Sequence, residues 1–197
     1  ADVQQWGVSA RQVDFFDVKG DVEALLAPRQ ARFEAFEHPA FHPGRCAQVW
    51  VGDVAVGVVG ELHPKWRQAY DLPQAPVLFE LDAQILAQRG VPAFTSVPKM
   101  QSVFRDLALV VTDATSHDSV IAAINQAATG GLVRGARLFD IYKPKTPVAG
   151  MADNERSLAV RIELRDDEQT LNDERIDQSI KQVIEAVAQS VGGRVRA

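Results

Sequence analysis

The sequence predicts an α+β protein of two modules: a mainly antiparallel sheet with short helices, then a βαββαβ unit. Three observations carry this. Stretches of apolar–polar alternation, the mark of half-buried strands, recur in both halves. In the second half, two of these stretches are each followed by apolar residues at helical spacing. Both helical stretches run out at a glycine pair, Gly130-Gly131 and Gly192-Gly193.

The second half reads element by element. Residues 105–111 alternate, with Leu107, Leu109 and Val111 on one face and Asp106, Ala108 and Val110 on the other. Thr115 and Asp118 have the spacing of a helix capping box. Val120, Ile121, Ile124 and Ala127 then form one helical stripe. Residues 137–142 are a second strand, with Phe139 and Ile141 assigned to the core and Asp140 and Tyr142 to the opposite face. Residues 156–164 are a third, setting Leu158, Val160, Ile162 and Leu164 against Ser157, Ala159, Arg161 and Glu163. Thr170 and Asp173 repeat the capping-box spacing, and Ile176, Ile180, Val183, Ile184, Val187 and Val191 line a longer helix. Residues 194–196 close the unit as a short strand. This order is the ferredoxin-like split βαβ arrangement, in which two helices cover one sheet face and leave the other open.

In the first half, residues 13–17 read as a strand and residues 19–26 as a short helix. Residues 32–37, 46–51 and 54–60 read as strands, the last two joined at Gly52-Asp53 in a hairpin. Pro64 opens a helix through residue 70, because proline suits a first helical turn. Residues 77–81 are a further strand. The proline-bearing stretch 91–98 reads as a linker. The domain boundaries expected from this are 1–92 and 96–197.

The chain has 197 residues, 46% hydrophobic and 24% charged, a globular composition with room for one large or two small cores. No apolar run approaches the ~20 residues of a membrane span, so no membrane partner is expected. The polar opening Ala1-Asp2-Val3 is not that of a signal peptide. With no initiator Met, the chain reads as a processed product or an excised piece. One cysteine, Cys46, excludes an internal disulfide and fits a reducing cytoplasm. Net charge is −5; residues 1–93 carry 8 basic and 12 acidic residues, and residues 94–197 carry 13 and 14. Autonomous nucleic-acid binders are usually basic, so any RNA contact here is expected to add to binding held elsewhere.

Catalytic chemistry finds no footing. His38 and His42 are four apart, but Pro39 and Pro43 follow them and push both out of helical geometry, so no metal pair is expected. Gly52, Gly57 and Gly60 lack the spacing of a phosphate loop. Cys46 reads as a buried structural thiol. The open face of the βαββαβ sheet remains. Alternation places there Ala108, Asp140, Tyr142, Ser157, Ala159 and Arg161: one aromatic platform, small residues that admit a base, and a guanidinium. Such sheets commonly bind single-stranded RNA by stacking.

Longer strings resemble a known family. Phe104-Arg105-Asp106-Leu107-Ala108-Leu109-Val110-Val111, Leu138-Phe139-Asp140-Ile141-Tyr142, Arg156-Ser157-Leu158-Ala159, Thr170-Leu171-Asn172-Asp173-Glu174 and a terminal Arg196 resemble the ferredoxin-fold anticodon-binding domain. That domain ends the bacterial phenylalanyl-tRNA synthetase beta subunit. Phe15-Phe16-Asp17-Val18-Lys19-Gly20, His42-Pro43-Gly44-Arg45-Cys46-Ala47, Gly57-Val58-Val59-Gly60-Glu61-Leu62-His63-Pro64 and Phe79-Glu80-Leu81-Asp82 resemble the end of its catalytic-like module, an inactive class II synthetase-like sheet. The resemblance implies a non-catalytic part of a cytoplasmic (αβ)2 ligase that joins phenylalanine to its tRNA with ATP and magnesium. None of these cofactors is expected on this chain. It implies assembly with the catalytic alpha subunit, contact with the tRNA for phenylalanine, and anticodon-contacting positions at Ala108, Tyr142 and Ser157. The hairpin 143–155 is longer than the compact family form, and Asn154-Glu155-Arg156 is less basic than the family's lysine-rich version.

Two other readings share this fold class: an amino-acid-sensing regulatory module and a scaffold that meets only protein partners. Fold does not separate them, because one fold hosts many functions.

Overall fold

Alternation and capping together generate thirteen elements in a computed structural model that describes residues 6–7, 11–88, 94, 97–144, 146 and 148–196. The chain divides into two units, Ala1–Ala93 and Phe94–Ala197. Most of the stretch 91–98, expected as a linker, lies outside the described residues.

The first unit begins with α1 (Phe15–Leu26), which contains the helix expected over 19–26 and starts where a strand over residues 13–17 was expected. The local reason is a capping box. The Asp14 carboxylate accepts from the amides of Phe16 and Asp17, and the Asp17 carboxylate accepts from the amide of Asp14. Val18, Val22 and Leu26, spaced by four, then point into the core. They meet Ala47, Val49, Val56 and Val59 of an antiparallel sheet. Its strands are β1 (Ala31–Ala35), β2 (Phe41–Val51), β3 (Val54–Leu62) and β4 (Val77–Leu81), paired in that order. The hairpin at Gly52-Asp53 is present, with Val51 opposite Val54. Helix α2 (Pro64–Ala69) starts at the proline, and His63 caps it through Nδ1. The short helix α3 (Ala83–Ala87) was not anticipated; Asp82, just past the strand, caps the amides of Gln84 and Ile85. Strand β2 begins earlier than expected, at Phe41, and breaks register between Phe41 and Cys46. Cys46 is buried, as expected, and burial raises its thiol pKa.

The second unit comprises β5 (Val103–Thr112), α4 (His117–Asn125), β6 (Val133–Tyr142), β7 (Glu155–Leu164), α5 (Asp173–Val191) and β8 (Arg194–Val195). The strand order is β6-β7-β5-β8, and each neighbouring pair runs antiparallel. That is the βαββαβ topology expected. Leu109, Val111, Leu158, Val160, Ile162 and Leu164 of the sheet pack under Val120, Ala123 and Ile124 of α4 and Ile176, Val183 and Val187 of α5. Both caps sit later than the capping-box spacing suggested. Ser116, not Thr115, accepts from the Ser119 amide, because the Thr115 hydroxyl pairs with that of Thr112. Asn172, not Thr170, accepts from the Arg175 amide at 3.0 Å. Gly192 ends α5 in the left-handed conformation at φ 65°, which glycine adopts without strain.

Strand β6 holds the main departure. It starts at Val133, not residue 137, and carries an extra residue twice against β7, at Arg134 and at Phe139. Each such bulge resets which side chains face the helices. The residues that reach the core from β6 are therefore Val133, Ala136 and Leu138. Phe139 and Ile141, assigned to the core by simple alternation, are both exposed.

Candidate nucleic-acid interface

Directly opposed residues of an antiparallel ladder share a face, so register maps the open side of the second unit. Across β7 and β5 the pairs are Glu163 with Phe104, Arg161 with Asp106, Ala159 with Ala108, Ser157 with Val110 and Glu155 with Thr112. On β6, Arg137 lies opposite Arg161, Asp140 opposite Ala159 and Tyr142 opposite Ser157. On β8, Arg194 lies opposite Val110, and the Arg196 amide donates to the Ala108 carbonyl. The six residues assigned to this face, Ala108, Asp140, Tyr142, Ser157, Ala159 and Arg161, thus stand on it together.

Their surroundings differ from what spacing suggested. Tyr142 is 39% exposed, and the Arg196 guanidinium lies over its ring at 4.5 Å from the centroid. Ser157, expected to be open to a base, is only 4% exposed. It sits in the same row as Tyr142 and Arg194, whose longer side chains rise around a short one. Ala108 and Ala159 are half-buried, and Asp140 accepts from the next amide in its own strand, that of Ile141.

The guanidinium of Arg161 is already engaged. It donates to both Asp106 carboxylate oxygens at 2.8 and 2.7 Å, a bidentate pair that lowers the Asp106 pKa and raises that of Arg161. Lys143, just past the end of β6, is paired with Asp113. Lys145 lies outside the described residues. Arg137 is exposed and makes no ion pair among the described residues. At the other end of the face, Arg194 clamps Glu155 at 2.6 and 2.7 Å and donates to the Gly150 carbonyl at 2.7 Å. The Arg194 guanidinium holds the Glu155 carboxyl down at about 2, helped by the amide of Ala152.

Two aromatics on this face were missed. Phe104 has the same parity as Asp106 and Ala108, so the sequence signal was present; the ring is 54% exposed. Phe139 was hidden by the bulge. It is also 54% exposed, and the Arg161 guanidinium stands over its ring at 5.5 Å. Tyr142 is therefore one of three exposed aromatics here, not the only one.

In the first unit, His38 accepts through Nδ1 from the amide of Ala40, while Nδ1 of His42 is buried and unpartnered. Among the described residues, no group of three or more His, Cys, Asp or Glu side chains is arranged to hold a metal, and no helix is long and apolar enough to cross a membrane.

A four-stranded antiparallel sheet with helices on one side and aromatics on the other is the build of domains that read single-stranded RNA. The chain belongs to the ferredoxin-fold anticodon binding domain family, whose model matches residues 98–196. Residues 1–83 match the model of the phenylalanyl tRNA synthetase beta chain CLM domain. Along nearly its whole length the chain is similar to phenylalanine–tRNA ligase beta subunits. It is 48% identical to that of Ralstonia nicotianae, over 98% of this chain and 24% of the relative. It is 43% identical to that of Dechloromonas aromatica and 45% to that of Chromobacterium violaceum, with the same coverage. The chain thus spans about a quarter of the length of these relatives.

Proposed function

We propose that this chain is the C-terminal part of a phenylalanine–tRNA ligase beta subunit, and that the open face of its second unit holds the anticodon region of the tRNA for phenylalanine. The observation that carries the reading is that an anticodon-binding family match falls on a sheet whose free face bears Tyr142, flanked by the small residues Ala108, Ser157 and Ala159. A base stacks on the Tyr142 ring once Arg196 moves aside. A guanidinium at 4.5 Å occupies the space a base needs, and an exposed cation–π contact of this kind is worth only about 0.5–1 kcal/mol. The displaced Arg196 and the exposed Arg137 then meet phosphates.

The first unit serves assembly. Phe16, Leu25, Tyr70, Leu78 and Phe79 are exposed apolar side chains in it, as a surface covered by the catalytic alpha subunit would have. Trp50 and Trp66 already have partners within the unit. Arg32 lies over Trp50, and the Trp66 indole donates to the Pro39 carbonyl. Trp6 is fully exposed. The complete ligase is a cytoplasmic (αβ)2 assembly using ATP and magnesium, and this chain contributes no catalytic group.

The deciding experiment is a titration of the chain with the tRNA for phenylalanine and with a tRNA of different anticodon, at one salt concentration. Preference for the first supports the reading. Equal or absent binding at low salt overturns it.

A further inference from the structure

We infer that Phe139 forms a second base platform on the open face, so that two nucleotides of a single RNA strand are held side by side along β6. The inference rests on the proposed function and extends it from one base to two.

Three observations converge on Phe139. First, the bulge that inserts it between Leu138 and Asp140 removes it from the core side and leaves a large apolar ring 54% exposed. A bulge that re-aims a side chain beside a binding surface is a recurrent use of the device. Second, Arg161 stands over the ring but is tethered elsewhere. Its two hydrogen bonds to Asp106 fix the guanidinium 5.5 Å from the ring centroid. At that distance it brings positive charge to the ring but stands farther from it than Arg196 does from Tyr142. At Tyr142 the Arg196 guanidinium lies closer, 4.5 Å from the ring centroid. Phe139 is thus the more exposed of the two rings, and Tyr142 the more closely covered. Third, Phe139 and Tyr142 are three positions apart on one strand, roughly 7–10 Å at ~3.3 Å per residue once the bulge is allowed for. That exceeds the ~3.4 Å of stacked neighbours in a helix. It suits bases splayed out of a loop, each on its own ring, as RNA-reading sheets hold two or three.

The occupant is a nucleobase and not an apolar protein segment, because the ring is bordered by charge. Arg161, Asp106, Arg137 and Asp140 surround it across β5, β6 and β7. A hydrophobic partner would have to strip water from all four groups, whereas a base presents a flat π-face to the ring and polar edges to its neighbours.

The test uses the full 197-residue chain and anticodon stem-loop RNA carrying 2-aminopurine singly at successive loop positions. Phe139→Leu keeps an apolar side chain of similar reach and removes the ring; Phe139→Tyr retains the ring and serves as the rescue. Wild-type protein should change the fluorescence of two neighbouring positions. Tyr142→Leu should abolish the change at one and Phe139→Leu at the other, with Phe139→Tyr behaving as wild type. Phe139→Leu should weaken binding by roughly 5- to 150-fold, the range of one lost stacking contact. If Phe139→Leu binds and reports as wild type while Tyr142→Leu loses binding, the second platform is wrong and the proposed function stands. If wild-type protein binds no RNA at low salt, or neither substitution alters binding, both fall.

Discussion

At the scale of single residues, what a side chain can do is set by what already touches it. Tyr142 offers a ring to a base, so Tyr142→Ala should weaken anticodon stem-loop binding by about 5- to 150-fold, since one stack is worth roughly 1–3 kcal/mol. Tyr142→Phe should cost less, because only the hydroxyl is lost. A titration of the three proteins at one salt concentration checks the order. Glu155 gives a pH prediction. Its folded pKa of about 2 lies below the ordinary 4.5 because Arg194 holds the ionised form. Its stabilising contribution is therefore fully present above about 4.5 and is lost as pH falls through about 2. Arg194→Ala should return the Glu155 midpoint toward 4.5 in a carboxyl NMR titration; an unmoved midpoint would contradict the assigned cause. Cys46 is buried, and burial raises its pKa, so a thiol reagent should modify it slowly in the native chain and promptly after unfolding.

Elements were legible to the extent that their signals are local. The strands β5 and β7 follow alternation without interruption, and their core and open faces were read correctly from parity. The helix over residues 19–26 was read, but the first turn of α1 was taken for a strand because Val13, Asp14 and Phe15 mimic alternation, while the controlling feature is the reciprocal cap of Asp14 and Asp17. On β6, alternation fails at each bulge, and a bulge is defined only against a partner strand. Gly57 shows the same dependence on a neighbour. A Cβ there would lie 2.0 Å from the Glu80 carbonyl oxygen and 2.9 Å from the Leu81 Cα, so β3 and β4 pair closely only because the residue is glycine. Gly57→Ala should destabilise the first unit by about 1–3 kcal/mol. All three tryptophans, Trp6, Trp50 and Trp66, belong to that unit. Their fluorescence should report a lowered transition while backbone NMR signals of the second unit stay in place. An unchanged tryptophan transition would show that the strands can part to admit a methyl group.

For the whole molecule, charge governs how RNA is held. The second unit carries 13 basic and 14 acidic residues, and Arg161 and Lys143 are already paired within the chain. Few cations are left for phosphates. Each one neutralised contributes about −0.7 to the slope of log affinity on log salt for a single strand. Two or three such contacts give a slope between about −1.4 and −2, measurable by titration at several salt concentrations. A much steeper slope would mean that the internal ion pairs open on binding. Exposed Phe16, Leu25, Tyr70, Leu78 and Phe79 lead to a second expectation at this scale. The chain should co-elute with added alpha subunit in size-exclusion runs, and changing Phe16 and Tyr70 to serine should weaken that complex. Independent elution of wild-type chain and alpha subunit would assign the apolar surface another role.

The sequence by itself determined the strand–helix order of the second unit, the two-module division of its signals, the parity of β5 and β7, and the side of the sheet on which Ala108, Tyr142 and Ser157 stand. These rest on neighbours within a few positions, where side-chain period and capping chemistry act. Only the tertiary structure decided that Phe139 leaves the core, that Arg161 is held by Asp106 across 55 positions of chain, and that Arg196 returns from the end of the chain to lie over Tyr142. Those facts depend on which strands pair and in what register, and register is a property of two distant segments at once.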